Sequence, residues 1–244
     1  MEIRIYAINL DRSKERWEIV SRQASQFDLT VVRVPGVDGS LVQAGDRTDC
    51  DEAAFRRNNG RTILPGEYGC YRSHLAALRR FVDSNEPVGI IVEDDIELRA
   101  DLPERVAAAF AAVPEMGVIK LYNHRVVGFR LFGTSTFGDE IGRTTHGPAG
   151  SAACYAVTHQ GATRLLVALA RMEYPWDIAL ERGWATNLSI CTFRSNLTVA
   201  RRQDTTIASR SVYRSTKFPW WKRWRTYLHR IGETVRRARY AHGE

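Results

Sequence analysis

The sequence lacks long apolar runs, a basic leader and closely paired cysteines. No uninterrupted apolar stretch approaches the roughly 20 residues of a transmembrane helix. Residues 1–10 alternate like a strand and contain no basic segment followed by an apolar one, so we expect no secretory signal and a cytoplasmic protein. The four cysteines have neither zinc-site nor redox-motif spacing, and we expect reduced, mostly buried thiols at Cys50, Cys70, Cys154 and Cys191.

Positive charge is concentrated at the carboxyl end of the chain. The net charge is +7, and from Lys217 onward eight basic residues stand against two acidic ones, which leaves +6 in that segment and +1 in the rest. We therefore divide the chain into a domain at 1–215 and a basic tail at 216–244. Because the larger part is nearly neutral, the charge balance does not favour a nucleic-acid binder.

An apolar stretch that ends in three acids is the most informative part of the sequence. Residues 88–92 follow Pro87, are too few for an ordinary helix, and are typical of a strand covered on both faces. Glu93, Asp94 and Asp95 come directly after this strand. The triplet therefore falls at the carboxyl end of a strand, which is where open α/β sheets bind ligands.

Crowded carboxylates beside a buried strand repel one another unless a cation compensates them. Mg2+ and Mn2+ prefer such oxygen ligands. Strand alternation projects Glu93 and Asp95 to one side, so we expect these two to hold the metal and Asp94 to have a different partner. The alternative is a solvated strand end whose acids cap the next element.

Basic residues mark the start of the first helix. A strand over residues 3–10 leads into a helix capped by Asp11 or Ser13, with Arg12 and Arg16 in its first turns. Free backbone N–H groups and guanidinium groups at such a helix start suit a phosphate. Alternatively, these side chains only solvate a surface turn.

The next elements extend this pattern. A strand at residues 30–34 predicts a parallel α/β unit with the first strand and helix, and Asp38 after it suits a ribose or base, or simply forms a turn. A helix at 64–82 places His74 on its buried stripe, where a histidine is either part of the core or in reach of a ligand. Further strands are expected at 116–122, 188–193 and 196–199, with hairpins or loops over 126–150.

Four motifs follow one another within the first hundred residues: Ile8-Asn9-Leu10-Asp11-Arg12 with Arg16, Val37-Asp38-Gly39, Pro65-Gly66-Glu67-Tyr68-Gly69-Cys70 with Ser73-His74, and Val92-Glu93-Asp94-Asp95. In this order they resemble the motifs of glycosyltransferase family 25, which includes lipooligosaccharide galactosyltransferases of Gram-negative bacteria. The resemblance covers residues 3–100 well. It continues more loosely through residues 150–177 and the closing segment at 201–207.

The resemblance implies a GT-A-like α/β fold, in which a single catalytic domain has a mostly parallel mixed central sheet flanked by helices. It also implies a nucleotide-sugar donor whose diphosphate is held by Mn2+ or Mg2+. The metal is assigned to Glu93 and Asp95. The matching motifs assign donor binding to Asn9, Leu10, Arg12, Arg16, Asp38, Gly66, Ser73, His74 and Asp94.

Residues 173–180 combine aromatic side chains with a carboxylate. Rings suit the apolar face of a sugar, and Asp177 can accept a hydrogen bond from its hydroxyls or cap the following helix. The resemblance suggests transfer with inversion, which needs a carboxylate to deprotonate the acceptor hydroxyl. We expect Asp177 to be this base, with Glu181 and His146 as weaker candidates.

The tail has an amphipathic pattern. Lys and Arg crowd around an apolar stripe with alternating three- and four-residue spacing, formed by Trp221, Trp224, Leu228, Ile231, Val235 and Ala238. A basic amphipathic helix with interfacial aromatics suits an anionic membrane surface. Packing on the domain or on a partner helix is the alternative, and no recognisable nucleic-acid-binding fold accompanies the charge.

These patterns lead to one hypothesis and two alternatives. The hypothesis is an enzyme that moves galactose from UDP-galactose onto a lipopolysaccharide or lipooligosaccharide acceptor, at the inner face of the cytoplasmic membrane. A sugar-nucleotide hydrolase or nucleotidyltransferase would share the sheet and the metal site. A catalytically silent, membrane-associated assembly protein would need only the tail.

Overall fold

The computed structural model describes residues 3–201 and 210–243. The strands in this part of the chain are β1 (Arg4–Asn9), β2 (Val31–Pro35), β3 (Val88–Glu93), β4 (Ile96–Glu97), β5 (Val118–Lys120), β6 (Val127–Thr134), β7 (Glu140–His146), β8 (Cys154–Thr158), β9 (Ile190–Phe193) and β10 (Val199–Ala200). The helices are α1 (Lys14–Gln26), α2 (Glu52–Asn59), α3 (Pro65–Val82), α4 (Leu102–Ala112), α5 (His159–Ala168), α6 (Trp176–Leu180), α7 (Gly183–Thr186), α8 (Arg210–Ser215) and α9 (Trp224–His242). Short 3-10 turns occur at Gly39–Leu41, Ala44–Asp46 and Trp220–Arg223.

Eight strands form one mixed sheet in the order β2-β1-β3-β8-β5-β9-β7-β6, and β4 pairs separately with β10. Strand β1 runs parallel to β2 and β3, and β5 runs parallel to β9. Only β8 and β7 run against their neighbours in this sheet. Six of its strands therefore point the same way, which confirms the predicted α/β class with a mostly parallel mixed sheet.

Strand β3 is covered on both faces, as its apolar sequence predicts. On one face Ile91 belongs to a cluster that includes Leu78 and Phe81 of α3. On the other face Ile90 belongs to a cluster with Val106 of α4. Because both layers pack on this strand, the acids that follow it leave the sheet from a fixed position.

Two predicted strands differ from the structure. The strand predicted at 116–122 shrinks to β5, and the one predicted at 196–199 is wrong, since only Val199–Ala200 pairs, with Ile96–Glu97. Asn196 explains the loss: its side-chain amide accepts from the Asn123 N–H and donates to the Asn123 carbonyl, each at 2.9 Å. At this position a side chain bonds where a paired strand would use its backbone, whereas the Leu197 N–H donates to the Leu121 carbonyl at 2.9 Å. The segment at 126–150 contains the β6–β7 hairpin.

The loop after β2 lies directly on helix α3. A Cβ atom on Gly39 would stand 1.8 Å from the Pro65 carbonyl oxygen, and one on Gly69 would stand 2.5 Å from the Val37 carbonyl oxygen. The Ser73 hydroxyl accepts from the Val37 N–H and donates to the Gly69 carbonyl, each at 2.7 Å. Glycine at both contact points therefore lets the loop and the helix share one wall.

Helix α9 packs against the rest of the chain through its polar face. Thr226 donates to the Arg57 carbonyl at 2.8 Å, Arg237 donates to the Glu181 carboxylate at 3.0 Å, and Ala241 is fully buried. Helix α9 is therefore attached to the domain at 1–215 by side-chain contacts, and the division into domain and tail stays a prediction. None of the described helices combines the length and apolar character that crossing a bilayer needs.

We predict that Gly39→Ala lowers the free energy of unfolding, because the added methyl group overlaps the Pro65 carbonyl and overpacking of this kind costs about 1–3 kcal/mol. Gly45→Ala is the matched control, since a Cβ atom there meets nothing within 4 Å. Urea denaturation followed by circular dichroism measures both variants. Equal losses, or none, in the two variants would contradict the close contact.

Candidate active site

Two clefts meet at the acidic end of β3. The first, which we call the strand-end cleft, lies between the ends of β1 and β3 and the first turns of α3 and has a volume of about 650 Å³, adjoining solvent included. The second, the wide cleft, has a volume of about 1560 Å³, counted in the same way, and extends toward α6 and α9. Both are lined by Arg16, Cys70, Glu93 and Asp95. We call Glu93, Asp94 and Asp95 the acidic turn. Glu93 and Asp95 therefore form part of the wall of both clefts.

Most of the predicted donor and metal residues line the strand-end cleft. They come from the β1–α1 turn, the loop after β2, helix α3 and the end of β3: Leu10, Arg12, Arg16, Asp38, Gly66, Ser73, His74, Glu93, Asp94 and Asp95. Asn9 does not line it and is almost wholly buried behind it. The fold thus brings residues from four separate motifs to one site, while their ligand contacts stay predictions.

Asp94 is held by protein partners. One carboxylate oxygen accepts from the Asn9 side-chain amide at 2.7 Å, and the other accepts from the Arg16 guanidinium at 3.2 Å. Arg33 donates to the Asn9 amide oxygen at 2.9 Å, which fixes the orientation of that amide. In this structure the partners of Asp94 are protein side chains, and its predicted contact with the donor stays a prediction. Asn9 supports Asp94 from behind the cleft, and its predicted contact with the donor stays a prediction.

Asp95 has the features that a cation site needs. Its Oδ1 atom is buried and has no hydrogen-bond partner among the residues that the structure describes. Burial, followed by repulsion from Glu93 and Asp94, raises the pKa of Asp95 to about 6. A divalent cation would offset both effects, since hard cations bind carboxylate oxygen and stabilise its charged form. The residues present therefore fit Mn2+ or Mg2+.

Glu93 lies in a second group of potential ligands. The Cys70 Sγ, a His74 ring nitrogen and a Glu93 carboxylate oxygen lie within 4.8 Å of one another. The His74 Nε2 is 3.3 Å from Glu93, and its Nδ1 is 3.3 Å from the Tyr155 hydroxyl. His74 is thus a packed core residue and a direct neighbour of Glu93, while its contact with a ligand stays a prediction.

Sequence reasoning missed Cys70 as a site residue. Burial raises its pKa well above the ordinary value of a thiol, so it is neutral in the structure. The available signal was its position one helical turn before His74, because residues four apart share a helix face.

Asp38 caps a turn and pairs with a predicted phosphate-binding arginine. Its Oδ1 accepts from the backbone N–H and the hydroxyl of Ser40, at 3.1 and 2.6 Å. Its Oδ2 forms an ion pair with Arg12, whose side chain remains 53% exposed at the wall of the strand-end cleft. The turn-forming alternative for Asp38 therefore describes its structural role, and the carboxylate also fixes where Arg12 stands.

Asp177 is in the wall of the wide cleft, which it shares with Asp95. Its Oδ1 accepts from the Ile178 N–H at 2.9 Å. Burial, with repulsion from Glu181, raises the pKa of Asp177. A carboxylate with a raised pKa in a cleft is suited to accept a proton.

Trp176 has a different role from the predicted one. It is only 2% exposed, and its ring stacks on His74 with centroids 5.1 Å apart and an interplanar angle of 6°. The ring therefore has too little free surface to stack on a sugar. Instead it ties α6, which carries Asp177, to α3.

Glu181 does not have the surroundings of a base. One carboxylate oxygen accepts from Lys120 at 2.6 Å and from the Gly150 N–H at 2.9 Å, and the other accepts from Arg237 at 3.0 Å and from the Ala149 N–H at 2.9 Å. Burial alone would raise its pKa, but Lys120 and Arg237 outweigh burial and hold the pKa below its ordinary value. With the four lone-pair positions of the carboxylate occupied, Glu181 is a structural anchor.

His146, the other weak candidate for the base, is the last residue of β7. It is exposed and lines neither cleft. Its Nδ1 is 2.9 Å from the Thr145 hydroxyl. Of the three candidates, only Asp177 lines a cleft together with Glu93 and Asp95.

The closing segment is described only at its first residue. The Arg201 N–H donates to the Asp95 carbonyl at 2.8 Å, and its guanidinium donates to Gln23 and to the Ile96 carbonyl. Residues 202–207 lie outside the described part of the chain, so their predicted contacts with a diphosphate or acceptor stay predictions.

We predict a stability signature for Asp95 in the metal-free protein. Its folded pKa of about 6 exceeds the roughly 3.9 of an unfolded aspartate, so the unfolding free energy contributed by this group is highest at low pH and is lost as pH rises through 6. Asp95→Asn should remove that loss and be about 1–3 kcal/mol more stable than the unsubstituted protein near pH 8. Urea denaturation in a chelator, across pH, measures the difference.

Asp101→Asn is the control, because the pKa of Asp101 is shifted in the opposite direction from that of Asp95. Hydrogen bonding and charge from Arg99 lower it to about 2. This variant should gain no stability at high pH. If the unfolding free energies of Asp95→Asn and the unsubstituted protein differ by the same amount at every pH, the raised pKa assigned to Asp95 is contradicted.

Known proteins share this sequence pattern. The model of glycosyltransferase family 25 (LPS biosynthesis protein) matches residues 2–180. Two relatives, each named a glycosyltransferase 25 family member, are 30% identical over 120 residues in Anopheles gambiae and 29% identical over 107 residues in Aedes aegypti. These matches cover 46% and 42% of this chain, and it spans only 20% and 18% of the length of those relatives.

A solved glycosyltransferase involved in the glycosylation of the major capsid of PBCV-1 aligns with 93% of this chain and 99% of its own, at 8% sequence identity and a TM-score of 0.42. That similarity is too low to support further argument. The family model spans most of the chain and all the residues assigned here to the donor, the metal and the candidate base Asp177, so the chain belongs to glycosyltransferase family 25.

Proposed function

We propose that the protein transfers a hexosyl group, galactose from UDP-galactose, to a hydroxyl of a lipopolysaccharide-type glycolipid. The observation that carries the proposal is the wall that the two clefts share, where Glu93 and Asp95 face both. A donor in the strand-end cleft and an acceptor in the wide cleft would meet at these carboxylates. Membership of glycosyltransferase family 25 supports the reaction class.

The strand-end cleft has the chemistry for a nucleoside diphosphate. Arg12 and Arg16 stand at its wall and can form charge-assisted hydrogen bonds with phosphate oxygens. Asp38 holds Arg12 in place, and Asp94 does the same for Arg16. Ion pairing on the protein side restricts both guanidinium groups before the donor arrives, which lowers the entropy cost of binding.

Asp95 and Glu93 are the residues that would hold a divalent cation, with the Asp95 Oδ1 available for it. When bound, Mn2+ or Mg2+ supplies Lewis-acid stabilisation of the charge that develops on the diphosphate as it leaves. Asn9 and Arg16 contribute by fixing Asp94, so that the turn bearing Asp95 keeps its direction.

Asp177 is the group that accepts the proton from the acceptor hydroxyl in this proposal. Its raised pKa and its place in the wide cleft support this role. A base on the acceptor side, opposite the leaving diphosphate, corresponds to transfer with inversion. Trp176, stacked on His74, holds α6 so that Asp177 keeps its distance from the acidic turn.

The description of the family model, an LPS biosynthesis protein, supports a lipopolysaccharide-type acceptor. Such an acceptor is built on a lipid, so the proposed place of action is the inner face of the cytoplasmic membrane. The insect relatives do not refine this choice, since the chain covers only about a fifth of their length.

The direct test incubates the protein with UDP-galactose, Mn2+ and a lipopolysaccharide core glycolipid, and separates the products by chromatography. Transfer of galactose to the glycolipid, lost in excess chelator, is the expected result. Free galactose without a glycosylated product would identify a hydrolase. Absence of both products, together with no heat of UDP-galactose binding in calorimetry, would defeat the proposal and favour a silent assembly protein.

We predict that Asp177→Asn lowers kcat by about 10²–10⁴-fold, the range that general-base catalysis contributes. Binding of UDP-galactose with Mn2+ should be unchanged, since Asp177 does not line the strand-end cleft. Glu173→Gln is the matched control, a nearby carboxylate that lines neither cleft, and should keep its activity. Equal activity of the two variants would exclude Asp177 as the base.

A further inference from the structure

Helix α9 presents its polar face to the protein and its apolar face to solvent. The packed side includes Thr226, His229, Glu233, Arg237 and Tyr240, which bond to main-chain or polar side-chain groups of the body. At 100° per residue these positions lie within about 60° of one direction. An amphipathic helix that only completed a domain would face the other way.

The opposite side carries the exposed apolar side chains. Their exposed fractions are 55% for Trp224, 60% for Leu228, 63% for Ile231 and 47% for Val235. Helical geometry places these residues about 180° from the centre of the packed side. In the preceding 3-10 turn, Trp220 and Trp221 are 70% and 60% exposed. We call these six side chains the apolar stripe.

Basic residues accompany the stripe. Arg225, Arg236 and Arg239 are exposed and lie along one flank of it, and Lys222 is exposed in the preceding turn. Glu233 is the single acid among residues 217–243, and Arg182 and Arg236 both pair with it. The surface around the stripe is therefore positive.

The charge and shape of the apolar stripe indicate what kind of partner binds to it. A second copy of the chain on the stripe would bring two positive flanks together, whereas an anionic surface complements them. A single helix with a narrow apolar face, three exposed tryptophans and flanking arginines has the shape of an interfacial membrane helix. Tryptophan also prefers the level of the lipid headgroups, where its ring is half buried and half wet.

We infer that α9 and the turn before it form a docking surface for an anionic lipid bilayer, in which the apolar stripe enters the headgroup region and the arginines contact lipid phosphates. The rest of the chain is rigidly attached to this surface, because Arg237 donates to Glu181, whose other partners are Lys120 in the sheet and the backbone of Ala149 and Gly150.

The docking surface and the wide cleft share helix α9. Arg230, on the same helix, lines that cleft together with Asp95 and Asp177. A bilayer on the outer face of α9 would therefore lie beside the cleft in which the acceptor hydroxyl is proposed to react. This part of the inference rests on the proposed function: the acceptor is membrane-anchored, and the protein works on it at the lipid surface.

The test is co-sedimentation of the full chain with vesicles of phosphatidylcholine alone, or of phosphatidylcholine mixed with phosphatidylglycerol. We expect binding to the mixed vesicles only, weakened by salt. The double variant Leu228→Ser/Ile231→Ser should lose at least about tenfold in binding, and Arg225→Gln about fivefold. Val167→Ser, a change at a side chain 77% exposed on α5, is the control and should bind as the unsubstituted chain does.

Thermal unfolding tests whether the variants are folded, and the transition of Leu228→Ser/Ile231→Ser should be unchanged because both side chains are exposed. Equal vesicle binding by this variant and the control would overturn the inference. So would a lipid-independent dimer that the double variant dissociates, in sedimentation velocity, without any binding to vesicles.

Activity measurements distinguish a failure of the proposed function from a failure of the membrane-docking inference. If the protein binds vesicles but transfers no sugar to any acceptor, the proposed function fails and the docking surface stands. If it transfers equally well to a delipidated acceptor and to the vesicle-borne glycolipid, the membrane-anchored acceptor is overturned. The expected result is faster transfer to the vesicle-borne form, with the difference abolished by Leu228→Ser/Ile231→Ser.

Discussion

The structure depends on how three consecutive carboxylates are accommodated at the end of a buried strand. Strand β3 is packed on both faces, so the acids cannot move away from one another without disturbing the core. Asp94 is compensated by Asn9 and Arg16, and Glu93 lies beside His74, whereas the Asp95 Oδ1 has no partner among the described residues. An uncompensated buried oxygen lowers the stability of the protein, and the proposed divalent cation would offset that loss.

The sequence predicts this centre well because its signals are local. An apolar strand followed by acids, a helix start rich in arginine and the order of the motifs are all visible without the fold, and the structure brings those motifs into one cleft. Contacts between residues far apart in the chain could not be predicted from the sequence. Lys120 in an apolar strand and Glu181 directly after a short helix are far apart in sequence, and only the three-dimensional structure shows that they pair and that the carboxylate oxygens of Glu181 are occupied. Likewise, periodicity shows that the tail is amphipathic but not which face packs inward.

The orientation of α9 connects the site to its proposed surroundings. A helix normally buries its apolar side, yet this one is held to the body by hydrogen bonds and ion pairs and leaves its apolar stripe in solvent. Those polar contacts fix a direction as well as a position, since each partner has defined geometry. The wide cleft, the acidic turn and the stripe therefore keep a constant relation to one another, which the proposed transfer to a lipid-anchored acceptor would require.

The central claim is that the acidic turn holds a divalent cation against a donor diphosphate. Crystals grown with UDP and Mn2+ test it through anomalous diffraction from manganese. The account predicts one strong peak in contact with an Asp95 carboxylate oxygen, close to Glu93, with the diphosphate density in the strand-end cleft. Nucleotide density in that cleft without a manganese peak, or manganese bound elsewhere, would contradict it.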